Sequence, residues 1–297
     1  MKNKTFIIMK KTLIDNFSIL KTFIYIFVIS IISYYLIFET AGIGSPTLSL
    51  LDVQSKLVSS YFMFGFFIII GIPFILYLVL LSAGAISREI DKGTFLLIFS
   101  RPVKRFDVLL GKFLGIFLYF FLINAFILFL LPSLGSLFLG LSKSTLFLLY
   151  KTSFALLIYS IFITAFMVSL AFVFSSKFKK TIVTAVILFI IVLGIFLMPL
   201  ANLGGQETVY TNSFASLGLN VLNGFNLDLY PNSKTNFGQI TGTYSQKRDY
   251  SELYPPELQE PSRIKTMPSW LSLILIIFLS FALFLLSLFL LKRKEIY

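Results

Sequence analysis

Six long apolar runs constrain this sequence more than any other feature. A helix of about 20 residues crosses a hydrocarbon core of roughly 30 Å. The runs are apolar throughout and do not alternate with polar residues, so they favour helices over barrel strands. They are Thr22–Phe38, Phe62–Ile86, Phe113–Leu131, Ser153–Phe174, Thr181–Leu200 and Ser269–Leu291. The sequence therefore predicts an all-α membrane protein with six transmembrane helices.

Composition excludes several other classes of protein. Hydrophobic residues make up 57% of the 297 residues, and only 13% are charged. Soluble domains carry about 25% charged residues, and a globule of this size cannot bury so much apolar surface. A soluble enzyme, a nucleic-acid-binding domain and a disordered chain are therefore excluded.

The sequence contains no Cys and no His. Disulfide frameworks, zinc and thiolate sites, haem ligation by His and Ser–His or Cys nucleophile systems all need these residues. We therefore expect no catalytic residue and no metal site in this chain.

The distribution of charge predicts the orientation of the spans. Basic loops face the cytoplasm. The loops 1–21, 87–112, 175–180 and 292–297 lie on one predicted side, and their basic excess equals the whole net charge of +12. The opposite loops, 39–61, 132–152 and 201–268, are balanced. Both termini of this multi-pass protein are predicted in the cytoplasm, with the chain in the cell (inner) membrane. No nucleic-acid partner is needed to explain the charge.

Residues 1–21 precede the first span and mix apolar with basic side chains. This pattern predicts an N-terminal amphipathic interfacial helix, with lysines at anionic headgroups and apolar residues in the lipid. The alternative is a basic flank that only enforces topology.

The cytoplasmic loop 87–112 contains, in order, residues that typically end one helix and begin the next. Gly93 can end the helix that continues from the second span, and Thr94 can cap a new one. Arg101-Pro102 then forces a break before the third span. The short helix between these signals, 95–99, is entirely apolar, so it must be buried in headgroups or in a partner protein.

This loop resembles the signature of ABC-2-type transporter permeases, the membrane subunits of ATP-binding-cassette exporters. The family pattern is a charged cluster, Gly-Thr, an apolar helix, Pro-Val-x-Arg and a final Gly-Lys. The positions that match it are Glu89, Gly93, Thr94, Leu97, Pro102, Val103, Arg105, Gly111 and Lys112. Leu96 departs from the acid that the family often carries there. Within the family, the nitrous oxide reductase and multicopper-enzyme maturation permeases are the subgroup we suggest.

The resemblance implies that the loop docks on a cytosolic ATPase. The coupling residues that it implies are Arg88, Glu89, Asp91, Gly93, Thr94, Leu97, Arg101, Pro102 and Arg105. The chain has no G-x-x-x-x-G-K-[ST] sequence, so ATP and Mg²⁺ are expected in the partner and no cofactor in this chain. The chain is then a transport subunit and not an enzyme. The alternative is a loop that serves only as a basic topology anchor.

The resemblance further implies an assembly of two permeases, either a homodimer or a heterodimer with a related permease, with two ATPases. The alternative function is a non-transporting membrane scaffold that passes ATPase motion to an extracytoplasmic partner. ATP-dependent movement of a solute in liposomes distinguishes the two. The substrate cannot be read from the sequence.

The interiors of the spans are nearly free of polar groups. None carries a charged residue well inside, which argues against proton antiport. Asn124 has two possible roles. It lines a pathway or bonds across a dimer, or it makes an ordinary interhelical hydrogen bond. Gly71-Ile-Pro73 should kink the second span, as a hinge or as a static bend.

The outer loop 201–268 is polar and rich in Pro and Tyr. Connections of this length inside an ordered protein usually have a function of their own. A docking site for an extracytoplasmic partner, a lid over the spans and simple disorder remain open. We treat the chain, 1–297, as one transmembrane permease domain.

Overall fold

The structure is a computed structural model that describes residues 4–16, 18–40, 50–91, 104–178, 180–201, 244–245, 262–263 and 269–293. The predicted all-α membrane fold is confirmed. The helices are α1 (Lys4–Asn16), α2 (Ile19–Thr40), α3 (Leu50–Phe64), a π-helical turn (Gly65–Ile69), α4 (Ile72–Asp91), α5 (Arg105–Leu139), α6 (Lys143–Lys177), α7 (Thr181–Ala201) and α8 (Ser269–Arg293). Two short strands, β1 (Tyr244–Ser245) and β2 (Ser262–Arg263), pair antiparallel within the outer loop.

In the described part of the chain, five helical segments are long and apolar enough to cross a membrane. They are α2, α3 with α4, α5, α6 and α8. The sixth predicted crossing is α7, an apolar helix whose side chains are described from Thr181 to Gly194. Within the most apolar stretch of each helix, 72% of α6 is buried but only 17% of α8. The helix α6 is therefore central, and α8 presents most of its apolar surface outward, as a lipid-facing helix does.

The helices α5 and α6 extend well beyond the apolar runs that predicted them. A tight turn joins them: Gly140 adopts a left-handed conformation with φ of 60°, which ends α5. Ser142 then caps α6 by accepting a hydrogen bond from the Thr145 amide at 3.2 Å. A connection this short makes the two helices antiparallel neighbours.

The second crossing is interrupted at the predicted kink. Pro73 has no amide hydrogen for the carbonyl four residues earlier, and the chain passes through the π-helical turn before α4 begins. A Cβ at Gly71 would lie 2.0 Å from the Phe67 carbonyl oxygen, so only glycine fits there. The structure thus has a helical break at the position where the sequence predicts a kink. Whether it is a hinge or a static bend stays a prediction.

A second proline, Pro132, lies inside α5, one residue past the predicted end of the third run. Proline leaves the carbonyl of Leu128 without its helical donor. Two hydroxyls from other helices can replace that donor: Tyr61 Oη lies 2.7 Å and Ser153 Oγ 2.8 Å from the carbonyl oxygen, and the two hydroxyls lie 2.6 Å from each other. The proline therefore ties α5 to α3 and α6.

The N-terminal segment differs from the single interfacial helix predicted over 1–21. The helix α1 ends at Asn16 and α2 begins at Ile19, three residues before the first apolar run. One face of α1 lies so close to α5 that a Cβ at Gly111 would be 2.8 Å from Ile8 Cβ. Other apolar side chains, such as Phe6, remain exposed and suit the lipid boundary. The helix is thus packed on protein on one face.

Candidate functional site at the cytoplasmic loop

The end of the bundle that the charges place in the cytoplasm brings together α1 and the ends of α4, α5 and α8. The loop between α4 and α5, residues 92–103, lies outside the described residues. Five of the predicted coupling residues, Gly93, Thr94, Leu97, Arg101 and Pro102, belong to it and stay predictions. The four others lie on the described flanks of the loop.

An ion pair bridges the two flanks of the loop. The ammonium of Lys112, in the second turn of α5, pairs with the carboxylate of Glu89, near the end of α4. The Lys112 side chain is 8% exposed and that of Glu89 is 29% exposed. Lys112 Nζ also donates a hydrogen bond to the Ala85 carbonyl oxygen at 2.5 Å. A buried ammonium needs such partners to offset its loss of hydration.

Arg105 connects α5 to the last helix. Its Nη1 donates to the carbonyl oxygens of Leu291 at 2.9 Å and Lys292 at 3.2 Å. These carbonyls lie in the last turn of α8, where no helical donor follows them. A cation is favoured there by the negative end of the helix dipole. Arg105 therefore caps α8 within the same chain.

We call Ala85, Glu89, Arg105 and Lys112 the Lys112 joint. A further contact adds the N-terminal helix, since the Thr5 hydroxyl donates to the Asp107 carboxylate at 3.2 Å. Four helices, α1, α4, α5 and α8, are thus linked around the base of the loop 92–103.

The described coupling residues divide into two sets. Glu89 and Arg105 make contacts inside the chain, whereas Arg88 and Asp91 are exposed on α4. The sequence offered no means to separate them, because the partner of Glu89 is in another helix. Lys112, which matched the family signature without an assigned role, is the centre of the joint.

A hydroxyl cluster that the sequence did not predict fixes α4 to α6 and α7 at the same end. The Ser87 amide donates to Ser175 Oγ at 2.9 Å, and Ser87 Oγ lies 2.9 Å from Thr181 Oγ1. Ser175 Oγ also donates to the Ala83 carbonyl at 2.9 Å. Serine and threonine occur throughout the spans, so their spacing carried no signal for this cluster.

A tyrosine cluster lies further from the cytoplasmic loop than the Lys112 joint. Tyr119 Oη is 2.7 Å from Thr22 Oγ1 and 2.8 Å from Tyr77 Oη, so one hydroxyl chain links α2, α4 and α5. The ring of Tyr25 stacks on Tyr77, with centroids 4.7 Å apart. These bonds add to the connection between the inner halves of the helices.

Among the described residues Asn124 makes no interhelical hydrogen bond, and its role in a pathway or a dimer contact stays a prediction. Its side chain is fully buried in this chain, and among the described residues neither amide atom has a hydrogen-bond partner. Phe120, one turn before it, contacts Phe74 of the antiparallel α4 with ring centroids 5.3 Å apart. Asn124 therefore lies level with Ile70, in the interrupted segment of the second crossing.

The described residues contain no group of three or more acidic side chains that could hold a metal ion. The hydrogen bonds and the ion pair described above connect helices to one another.

These features define a class: a multi-pass α-helical membrane protein in which a buried ion pair joins the flanks of one cytoplasmic loop. Residues 4–296 match the family described as ABC-2 family transporter protein. This match covers nearly the whole sequence, so the chain belongs to that family, and the resemblance read from the loop is confirmed. A comparison with curated proteins found no match. The maturation-permease subgroup stays a prediction.

Membership of the family makes the chain a permease subunit of an ABC exporter, a multi-pass membrane component that is not itself catalytic. The family implies association with a cytosolic ATPase.

Proposed function

We propose that this permease subunit converts ATP hydrolysis by a separate cytosolic subunit into movement of its own helices through the loop 92–103. The Lys112 joint is the observation that carries the proposal. Glu89 and Lys112 pair across the base of the loop, so its two flanks keep a fixed spacing. An ATPase that moves the loop therefore moves α4 and α5 together.

The same contacts spread that movement through the bundle. Arg105 connects α5 to the end of α8, and the Thr5–Asp107 hydrogen bond connects it to α1. The serine and threonine cluster connects α4 to α6 and α7. Packed helices shift as units and do not bend continuously, so a small displacement at the loop moves the inner ends of these helices together.

The exposed side chains at the end of α4 supply the contact with the ATPase. Arg88 and Asp91 carry opposite charges and flank the loop. Charged pairs at the rim of an interface set its register and partner choice. In this proposal ATP and Mg²⁺ bind only in the partner, and two permeases, identical or related, assemble with two ATPases.

The test is affinity purification of the tagged full-length protein from the membranes of its own host. The variant Arg88→Glu with Asp91→Lys reverses both exposed charges. The matched control is Lys143→Glu, an exposed charge at the opposite end of the bundle. The readouts are the amount of co-purified ATPase subunit and the ATP hydrolysis of the eluate.

We expect the double reversal to lose most of the bound ATPase and its activity, while the amount of permease in the membrane stays unchanged. The control should retain both. Full retention of the ATPase by the double reversal would contradict the proposed contact, and so would an equal loss in the control.

A further inference from the structure

The second crossing contains a break between α3 and α4, residues 65–73. Gly65–Ile69 form a π-helical turn, which is closed by a hydrogen bond from the Ile70 amide to the Gly65 carbonyl at 3.0 Å. Pro73 has no amide hydrogen to offer the Ile69 carbonyl. A π-helical bond spans one residue more than an α-helical bond, and such turns often occur at functional sites. The segment therefore has an alternative to its present hydrogen bonds, the α-helical pattern, that needs a shift of only one residue.

Contacts hold the crossing on both sides of this break. On the outer side, Tyr61 Oη of α3 lies 2.7 Å from the Leu128 carbonyl oxygen of α5. On the inner side, the Lys112 joint connects α4 to α5, and the serine and threonine cluster connects α4 to α6 and α7. Any movement of α4 relative to α3 must therefore be taken up in residues 65–73, as hinge segments do.

Asn124 of α5 lies at the depth of the break. One turn further out, Leu128 lies beside Tyr61 of α3. One turn further in, the ring of Phe120 contacts the ring of Phe74 of α4, with centroids 5.3 Å apart. The break is the segment between these two contacts, so Asn124 lies level with it.

The side chain of Asn124 gains nothing from its polar groups in the present arrangement. It is fully buried, and neither Nδ2 nor Oδ1 has a hydrogen-bond partner within the part of the chain that the structure describes. A buried amide without partners costs free energy, because its hydrogen bonds to water are lost and not replaced. An Asn side chain both donates and accepts hydrogen bonds, so it can satisfy a backbone carbonyl and a backbone amide at once. A break that exchanges its hydrogen bonds provides groups of both kinds.

We propose that residues 65–73 are a hinge with two arrangements, and that Asn124 stabilises the second one through hydrogen bonds from its side chain to backbone groups of the hinge. In the arrangement of the structure, the hinge keeps its π-helical turn. In the second arrangement, the turn takes α-helical bonds, α4 shifts relative to α3, and Asn124 bonds the backbone groups that change partners. The inference rests on the proposed function, because the loop 92–103 supplies the force that moves α4.

The test is the distance between the two halves of the crossing in the complete complex, measured by pulsed electron paramagnetic resonance with and without trapped ATP. The spin labels are attached in the variant Lys56→Cys with Leu80→Cys, at exposed positions in α3 and α4. A reference pair, Lys143→Cys with Lys177→Cys, spans the continuous helix α6. The amount of bound ATPase and its ATP hydrolysis are measured in the same samples.

In the parent protein, trapped ATP should change the distance between positions 56 and 80 by at least about 1.5 Å, the rise of one helical residue. The reference distance should stay constant. Asn124→Leu replaces the amide with an apolar side chain of similar size. It should abolish the change, while the variant keeps the thermal stability and the bound ATPase of the parent.

The matched control is Thr164→Val. Thr164 is buried too, and its hydroxyl has no hydrogen-bond partner among the described side chains and backbone groups. It lies about two turns along α6 from Leu156, the residue that an added Cβ at Gly65 would touch. The control should show the same ATP-dependent change as the parent.

A change that persists in Asn124→Leu would overturn the proposal, and so would an equal loss in Thr164→Val. A constant distance in a parent complex that binds and hydrolyses ATP would show that the break is a static bend, and it would leave the ATPase contact intact. A lower unfolding midpoint of Asn124→Leu would mean that the amide is already bonded before ATP acts, which also contradicts the proposal. A parent complex without bound ATPase would contradict the proposed function and, with it, the inference that rests on it.

Discussion

The two ends of α5 differ in how they contact their neighbours. Its inner end, Arg105–Gly115, is bound to three other helices by an ion pair, hydrogen bonds and close backbone contact. Its outer end, 126–139, leaves an open groove beside α2. One helix is therefore rigid where we propose that the ATPase acts and less tightly packed at its outer end.

The residue types at each end explain this difference. Gly111 and Gly115 have no side chain, so α1 can approach the α5 backbone, and Lys112 reaches across to α4. At the outer end, Phe126 and Phe138 turn their rings outward, with more than half of each exposed. Bulky apolar side chains in the membrane gain little from contact with another helix, because lipid tails are equally apolar.

The largest effect is expected at the Lys112 joint. Lys112→Met removes the ammonium and so takes from the partly buried Glu89 carboxylate its ion pair with Lys112. Breaking a buried pair in this way should lower the free energy of unfolding by about 3 kcal/mol. Denaturant unfolding in detergent measures it.

The control for this change is the double variant Lys112→Met with Glu89→Gln, which removes both charges. It should recover most of the lost stability, since neither charge of the pair remains. If Lys112→Met alone were as stable as the parent protein, the joint would have no structural role.

A smaller effect is expected where α1 lies on α5. A Cβ at Gly115 would lie 2.8 Å from the Met9 carbonyl oxygen, so Gly115→Val should displace α1 and cost about 1–3 kcal/mol. The matched control is Gly194→Val, since an added Cβ at Gly194 meets nothing within 4 Å. Thermal unfolding compares the two variants. Equal midpoints would show that α1 is not held against α5.

Variants near the middle of α5 should lower the free energy of unfolding by a still smaller amount. Pro132 has already removed one helical hydrogen bond there. Tyr61→Phe and Ser153→Ala each remove one of the two hydroxyls that can donate to the Leu128 carbonyl, and each should cost about 0.5–1.5 kcal/mol. The double variant should cost more than the sum, since it leaves that buried carbonyl without a donor. Strict additivity in denaturant unfolding would argue against the shared acceptor.

The smallest effect, and one of opposite sign, is expected at Asn124. Asn124→Leu replaces a buried amide that has no partner among the described residues, so stability should stay unchanged or rise by up to about 1 kcal/mol. Denaturant unfolding measures it. A loss of more than about 1 kcal/mol would mean that the amide has a partner in the protein as it exists in the membrane.

The sequence predicted the class and the crossings because long apolar runs report directly on burial in lipid. It predicted the ends of the helices less well: α5 begins at Arg105, not at Phe113, since a helix continues into polar flanks that hydropathy does not register. The kink at Gly71-Ile-Pro73 was predictable, because its cause is local.

The contacts of the site could not be predicted in the same way. Glu89 and Lys112 are 23 positions apart in the sequence, and only the antiparallel packing of α4 and α5 brings them together. The carbonyl oxygen that accepts a hydrogen bond from Arg105 lies in α8, far along the chain. The signature identified these positions as members of a motif, but a motif does not state whether a charge points to a partner protein or to another helix.

The central claim is that the helices of the Lys112 joint move as one unit when the ATPase acts. The chain contains no Cys, so pairs of spin labels can be placed without background. One pair, Ile14→Cys with Lys292→Cys, spans the joint, and another, Ile14→Cys with Lys143→Cys, spans the bundle; all three positions are exposed.

Distances are measured by pulsed electron paramagnetic resonance in the complete complex, with and without trapped ATP. We predict that the first distance stays constant to within about 2 Å, whereas the second changes by more, as for a packed unit that shifts against the rest of the bundle. A change in the first distance as large as that in the second would contradict the account.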